Sequence, residues 1–332
     1  MTRDLLVCAG SLTLDNVVTA QGQRLPQTCG GNVVYSALGA RLWHARVGIV
    51  SRAGTDFPVD FIAMLHAQGL QTDGIRRLPV RHGMNVAFCY AADGSRVRAF
   101  PPEVIAAIPQ PELQRFTDYG VGDIQTRFAI WTEFAPDDND IPDAWLDSIG
   151  AVHNAAMPVQ RHQAIAARIR ATGKAWMQVD SPWYDERALE RDEATPLFAL
   201  VDAMLPSEDD VARADPARPI DITLAAMLRM GARRIVLKRG ACGSRILEPG
   251  LAPVDIAALA GASIVDLTGA GDAYCGGFLA GMFLTGDTRQ AALYGTVSAS
   301  FAIQAAGVAG LLGADPSQVR QRLATVRAAA AF

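Results

Sequence analysis

Positive charge is not in excess: 30 Lys and Arg stand against 34 Asp and Glu, a formal net charge of −4 at pH 7. A protein that grips nucleic acid nonspecifically needs a concentrated basic surface, so this near balance argues against such a partner. Cysteine is sparse. The five residues, Cys8, Cys29, Cys89, Cys242 and Cys275, are odd in number, widely spread and without a close metal-ligand pair. They read as reduced thiols in a cytoplasmic protein rather than as a disulfide framework. Charged residues make up only 19% against 50% hydrophobic, which is not the composition of a disordered chain and suffices for a large core in one or two domains. The 30 glycines and 18 prolines show no collagen-like period.

Targeting and membrane signals are missing as well. The apolar run Leu5-Leu6-Val7-Cys8-Ala9 is too brief for a signal peptide and predicts a first core strand. From Ala291 to Ala314 there is no charged residue, but Gly295, Thr296, Ser298, Ser300, Gln304, Gly307 and Gly310 dilute the segment. Closely packed core helices are expected there, not a membrane span.

What is present is a βα rhythm. Val47–Val50 precedes an Ala/Leu-type stretch around Phe61–Leu65, and Ala151–Asn154, Ala175–Val179, Ala203–Leu205 and Arg234–Leu237 are further candidate strands. This spacing predicts a mostly parallel sheet with helices on both faces. Met84–Tyr90 and Arg96–Phe100, separated by Ala92-Asp93-Gly94-Ser95, read instead as a hairpin. A small antiparallel appendage is expected near residues 80–130, joined by residues 12–28. The acidic run Pro136–Asp143 reads as a surface loop without chemistry of its own.

The most informative run is Ile264 to Gly281. A β-like approach, Ile264-Val265-Asp266-Leu267, meets the compact turn Gly269-Ala270-Gly271, and a small-residue helix follows Asp272. Such a turn aims backbone N–H groups at an anion, and its glycines let a phosphate come close. Asp272 stands where it can take a proton from an attacking hydroxyl; a helix cap is the other reading of that carboxylate. Neither the lysine-bearing P-loop nor a strand-linked GxGxxG is present, so a different phosphate-binding architecture is required.

Asp266-x-Thr268-Gly269-Ala270-Gly271-Asp272-x-x-x-Gly276-Gly277-Phe278 resembles the signature of the ribokinase-like, or PfkB-type, carbohydrate kinases. The resemblance implies an α/β fold, a ribokinase-like three-layer sandwich with a mostly parallel central sheet and a small antiparallel β lid. Residues 1–332 would form one kinase domain, with lid segments at about 12–28 and 80–130. It further implies that Asp272 is the catalytic base and that Gly269, Ala270 and Gly271 form the anion hole. ATP and Mg2+ are the implied cofactors. In some relatives the positions of Asp266 and Thr268 help hold a monovalent cation such as K+; here these residues either do so or shape the turn.

A second resemblance covers Gly10–Asp15 and Cys29–Leu42, and implies that Asp15, Gly30, Gly31 and Asn32 receive the sugar. Tyr35 stands where an asparagine is often found; it either packs on a ring-like part of the substrate or serves the core. Gly54-Thr55-Asp56-Phe57-Pro58 resembles a Gly-x-Asp-x-Gly segment with Pro58 in place of the last glycine, and Asp56 is a candidate substrate contact. Ser207, Glu208 and Asp210 resemble an Asn-x-x-Glu segment that organises magnesium and its water. Lys238, Arg239, Gly240 and Gly243 resemble a nucleotide-side strand and glycine loop. Asp180, at the end of a strand-like run, is a weaker candidate for substrate or phosphate, and His153 reads as a core histidine. Trp131, Trp183 and Tyr184 read as core or lid aromatics that could also line a pocket. The function implied is an ATP-dependent kinase acting on a sugar or related polyol. A nucleoside kinase, or a ligand-binding regulatory protein of the same fold without transfer activity, are the alternatives, and a homodimer through the lid is the implied assembly.

Overall fold

Short aliphatic runs become buried strands. In the computed structural model, which describes residues 2–19, 21–91, 96–97, 100–116, 123–173, 175–182 and 195–330, the strands are β1 (Leu5–Ala9), β2 (Thr13–Val18), β3 (Arg24–Gly30), β4 (Val47–Ala53), β5 (Leu70–Arg77), β6 (Asn85–Tyr90), β7 (Arg96–Val97), β8 (Ile149–Asn154), β9 (Trp176–Val179), β10 (Ala203–Met204), β11 (Ile235–Lys238), β12 (Ser244–Leu247) and β13 (Val254–Ile256). Nine form the large sheet in the order β13-β12-β11-β10-β9-β8-β1-β4-β5. Pairing is parallel from β11 to β5, and β12 alone runs against the other strands, antiparallel to both β11 and β13.

Every residue of β1 and of β4 is buried, as strands covered on both faces must be. The side chains of β1 divide by alternation: Leu6 and Cys8 join one apolar cluster, with the helices Asn32–Arg41, Ala270–Thr285 and Thr288–Ala302. Leu5, Val7 and Ala9 join the other, with Val159–Thr172 and Ile220–Arg229. The period of two thus builds three layers from one strand. The uncharged stretch after Ala291 lies in Thr288–Ala302 and the short helix Ala309–Leu312. Among the described residues no helix is long and apolar enough to cross a membrane.

The chain proceeds from β1 to β4 and β5 on one side and places β8 on the other. The order therefore reverses between β1 and β8, where the carboxyl ends of parallel strands open a crevice.

The second sheet has the order β3-β2-β6-β7. It is not wholly antiparallel as expected: β2 pairs with β6 in parallel, while β3 and β7 are antiparallel to their neighbours. β2 follows β1 and β6 follows β5; because β1 and β5 point the same way, both connections leave the large sheet in one direction. The expected turn at residues 92–95 lies outside the described residues. Residues 102–107, 110–113 and 124–134 are helical rather than part of the appendage's strands. Phe100, Val104, Ile108, Leu113 and Phe116 cover Val18, Ala87 and Cys89 on the small sheet's outer face. Its β3 edge carries Pro26 and a left-handed Gln27 (φ 51°), which interrupt the ladder a partner strand would extend.

The acidic run at 136–143 also differs from expectation. Asp140 is buried and pairs with Arg52 at 2.6 Å and Arg76 at 3.3 Å, while Asp137 pairs with Arg52 at 2.7 Å and Arg161 at 2.6 Å. Arginines distant in sequence draw these carboxylates inward.

Candidate active site

The crevice between β1 and β8 is tied across by one side chain. Asn32, first residue of its helix, accepts the Ser11 N–H at 2.9 Å and donates to the Ala156 carbonyl at 2.9 Å. Its amide therefore serves two backbone partners at the strand ends. The preceding Gly31 has φ 107°, and a Cβ there would lie 2.2 Å from the Ser11 carbonyl oxygen, so this turn requires glycine. Gly30 is needed for space: a Cβ would come within 2.1 Å of the Asp15 carboxylate. Asp15, on β2, is buried and accepts the Thr13 hydroxyl at 2.5 Å.

Ile264-Val265-Asp266-Leu267 is not a strand. It lies along the end of the Thr288–Ala302 helix, with the Val265 N–H donating to the Ile303 carbonyl at 2.8 Å, and its apolar side chains Ile264, Val265 and Leu267 are exposed. Gly269 caps the Ala270–Thr285 helix with φ 71°. The Tyr35 ring packs directly on Gly269, where a Cβ would lie 2.1 Å from a ring carbon. No side chain caps this helix start, and helix geometry leaves its first N–H groups without internal acceptors. The Ala270 N–H donates to the Leu267 carbonyl at 3.3 Å, and the positive end of the helix dipole at Gly271 is an arrangement that suits an anion. Further along, Gly276 admits the neighbouring helix: a Cβ there would sit 1.8 Å from the Ser36 carbonyl oxygen.

The two turns meet in one cavity of about 200 Å³, whose walls include Ser11, Asp15, Asn32, Tyr35, Gly269 and Asp272. Met84, Val86 and Trp131 close it from the small-sheet side. Within it the buried Ser11 Oγ and Tyr35 hydroxyl have no protein hydrogen-bond partner among the described residues. Burial first, then the charges of Asp15, Asp266, Tyr90 and Asp272, push the Tyr35 phenol up. A larger cavity of about 470 Å³ shares Asp15, Tyr35 and Thr268 as walls and is otherwise mostly apolar, with Val17, Leu25, Phe61 and Phe88.

Beside the anion turn, Lys238 ends β11 and pairs with the buried Asp180 at 2.7 Å. Its Nζ is 3.5 Å from the Cys275 sulfur and 3.5 Å from where a Gly271 Cβ would lie. Burial opposes its charge, but Asp180, Cys275, Asp210 and Asp272 together raise its pKa, holding the ammonium charged. Arg239 takes the opposite course, pairing outward with Asp255 at 2.8 Å and Glu208 at 3.6 Å. Lys238 is the last residue of the strand and Arg239 already belongs to the turn that follows, which separates the two cations.

Ser207 extends β10 by one bridge to Lys238 and caps the Glu208–Ala214 helix. Ser207 N–H and hydroxyl donate to Asp210 Oδ2 at 2.9 and 2.6 Å, and the Asp210 N–H returns a bond to Ser207 Oγ at 3.2 Å. The Ser-x-x-Asp spacing is itself the signal of this capping box. Among the described residues no group of three or more His, Cys, Asp or Glu side chains converges to hold a metal alone. The charges of Asp210 and Asp272 both act on Lys238, and such carboxylates are hard oxygen donors of the kind that suits magnesium.

Not every candidate joins this site. Asp56 is absent from the walls of both cavities; its carboxylate accepts the His82 N–H at 2.6 Å and pairs with Arg81 at 3.1 Å. Glu208 faces Arg239. Gly240 has open space around it, whereas a Cβ on Gly243 would strike the Ile256 carbonyl oxygen at 2.0 Å. Asp266 accepts the N–H groups of Thr268 and Gly307 at 2.7 and 2.8 Å and the Tyr90 hydroxyl. His153 is fully buried, and burial, Lys238 and His162 depress its pKa, so it stays neutral. Trp183 and Tyr184 lie outside the described residues. Ser11, Thr13, Met84 and Val86 line the cavity without having been singled out, and only the strand-end position of Ser11 offered a clue.

A family model for pfkB family carbohydrate kinases matches residues 131–313, more than half of the chain's 332 residues. The cytidine kinase of Thermococcus kodakarensis is 26% identical over 277 residues, 83% of this chain and 87% of that protein. Among solved structures, Arabidopsis thaliana ribokinase complexed with ribose and ATP aligns with a TM-score of 0.67 at 20% identity, covering 97% of this chain and 99% of the other. An Escherichia coli protein provisionally named ribokinase II, in complex with ATP and Mg2+, aligns with a TM-score of 0.70 at 17% identity, covering 98% and 100%. The structural likenesses establish the ribokinase fold, the family match includes the whole Asp266–Asp272 turn, and on these grounds the chain belongs to the pfkB family of carbohydrate kinases, which are phosphotransferases.

Proposed function

We propose that the protein transfers the γ-phosphoryl group of ATP to a hydroxyl of a sugar or related polyol, with Asp272 as the base. The observation that carries this reading is the shared cavity: Asp15 on β2 and Asp272 at the start of the Ala270–Thr285 helix line the same 200 Å³ space. Asp15, Ser11 and Tyr35 offer directed polar contacts to an acceptor, while the engaged amide of Asn32 fixes the crevice wall. Asp272 takes the acceptor's proton as its oxygen bonds to phosphorus; the bond to the bridging oxygen of ATP breaks and ADP departs. The positive helix start at Gly271 and the fixed ammonium of Lys238 oppose the charge on the transferring group. Magnesium, when bound with ATP, would supply further charge neutralisation, with Asp210 as the carboxylate that would hold it or its water. The small sheet, which brings Thr13, Asp15 and Val86 to the cavity, acts as a lid that excludes water.

A nucleoside acceptor is the second reading. It is favoured by the apolar 470 Å³ cavity that shares Asp15 and Tyr35 with the polar one, room for a base attached to the sugar, and by the similarity to a cytidine kinase.

A magnesium/ATP phosphorylation screen over ketoses, aldoses, sugar acids, polyols and nucleosides, read by intact mass, tests both. Substrate-dependent product that vanishes in Asp272→Asn supports transfer and names the acceptor. Product formation that survives Asp272→Asn, or none across the panel from folded protein, removes the proposal.

A further inference from the structure

Tyr90 ends β6 in the small sheet, yet its hydroxyl reaches the body of the protein. It donates to Asp266 Oδ1 and meets the Thr268 hydroxyl. The Tyr90 ring is held edge-on by Phe88, with centroids 5.5 Å apart and planes at 87°. Asp266 is 2% exposed. Its Oδ1 also accepts the Thr268 N–H at 2.7 Å, and its Oδ2 accepts the Gly307 N–H at 2.8 Å. Asp266 and Thr268 lead directly into Gly269, which caps the anion helix. A hydroxyl of the small sheet is therefore fastened to the segment that sets the anion turn, across 176 residues of sequence.

In some relatives the positions of Asp266 and Thr268 help hold a monovalent cation, the alternative to shaping the turn. Such a cation is held by several hard oxygens with free lone pairs. Here Asp266 Oδ1 already accepts two donors, Oδ2 accepts a third, and the Thr268 hydroxyl faces Tyr90. With Tyr90 in place, Asp266 Oδ1 and the Thr268 hydroxyl are taken up by protein donors, and these side-chain oxygens do not fit a K+ site.

We infer that Tyr90 is a positioning residue, a latch that holds the small sheet closed over the acceptor cavity and stands where a monovalent cation would, so that closure and transfer are independent of K+. The consequence for transfer rests on the proposed role of this cavity; the latch itself does not. A hydrogen bond to a charged group shifts an open–closed equilibrium by about tenfold or more.

Hydrogen exchange of the full-length protein in K+ and in tetramethylammonium, for wild type and Tyr90→Phe, tests the latch without an identified acceptor. The expected result is wild-type exchange of β2 and β6 amides that is the same in both salts. In Tyr90→Phe those amides should exchange about tenfold faster while β1 and β4 stay as protected as before. Asp266→Asn, which removes the charge but keeps the shape, gives the same comparison if the phenylalanine variant loosens the whole fold. Protection of wild-type β6 by K+, or small-sheet exchange unchanged in both variants, overturns the inference. Where an acceptor is in hand, wild-type transfer should change less than about twofold between the salts, and tenfold activation by K+ would equally overturn it.

Discussion

Across the acceptor cavity, the anion turn and the small sheet are built differently. The helix behind the turn is buried without a break from Ala273 to Met282 and wedged against two other helices through glycine contacts. The small sheet presents a thin inner apolar face of Val17, Val86, Phe88 and Tyr90, with Leu25 packed against it. The comparison teaches where precision is placed. The base sits on an element that cannot shift without unpacking a core, whereas Asp15, among the groups that meet the acceptor, sits on the thinner sheet.

The sharpest way to break this comparison is Asp272→Asn, which keeps the turn and removes the base. A loss of about 10²–10⁴-fold in kcat with little change in acceptor KM is expected from steady-state kinetics. Lys238→Met should cost about 3–5 kcal/mol in denaturant unfolding, because it strands the buried Asp180 carboxylate. On the small-sheet side, His82 lies in the connection between β5 and β6, buried between Phe57 and Phe134. Burial depresses its pKa to about 4, against an opposing pull from Asp56. The unfolded chain protonates it near its ordinary 6.5, so its contribution is complete above that pH and is lost as pH falls from 6.5 to about 4. That window should remove about 3 kcal/mol of stability, and His82→Gln should flatten the slope of unfolding free energy against pH. The smallest effect is expected for Asp56→Ala. Its partner Arg81 is highly exposed, so a stability change of about 1 kcal/mol and unaltered kcat are expected; a large kcat loss would restore Asp56 to the site.

How much could be read in the chain depended on the range of the interaction. Gly-Ala-Gly-Asp was legible because a left-handed Gly269 and a helix start are local demands. The strands were legible because double burial demands unbroken apolar runs. Asp140 was misjudged as surface because its partners Arg52 and Arg76 lie 88 and 64 residues away. Ser207 and Asp210 drew attention as departures from a metal-binding pattern, although their spacing also encodes the capping box that the structure shows. Ile264–Leu267 looks like a strand by composition, but among the described residues no strand pairs with it.

Layering, the anion turn and the choice of Asp272 as base candidate follow from the sequence itself, since periodicity and turn chemistry are properties of neighbours. Tertiary structure alone decided that Lys238 faces Asp180 while Arg239 faces Asp255, that β2 and β6 run parallel, and that Tyr90 reaches Asp266. Each of these depends on how the sheets are ordered in space, and a pairwise contact between distant residues leaves no periodic trace in either segment.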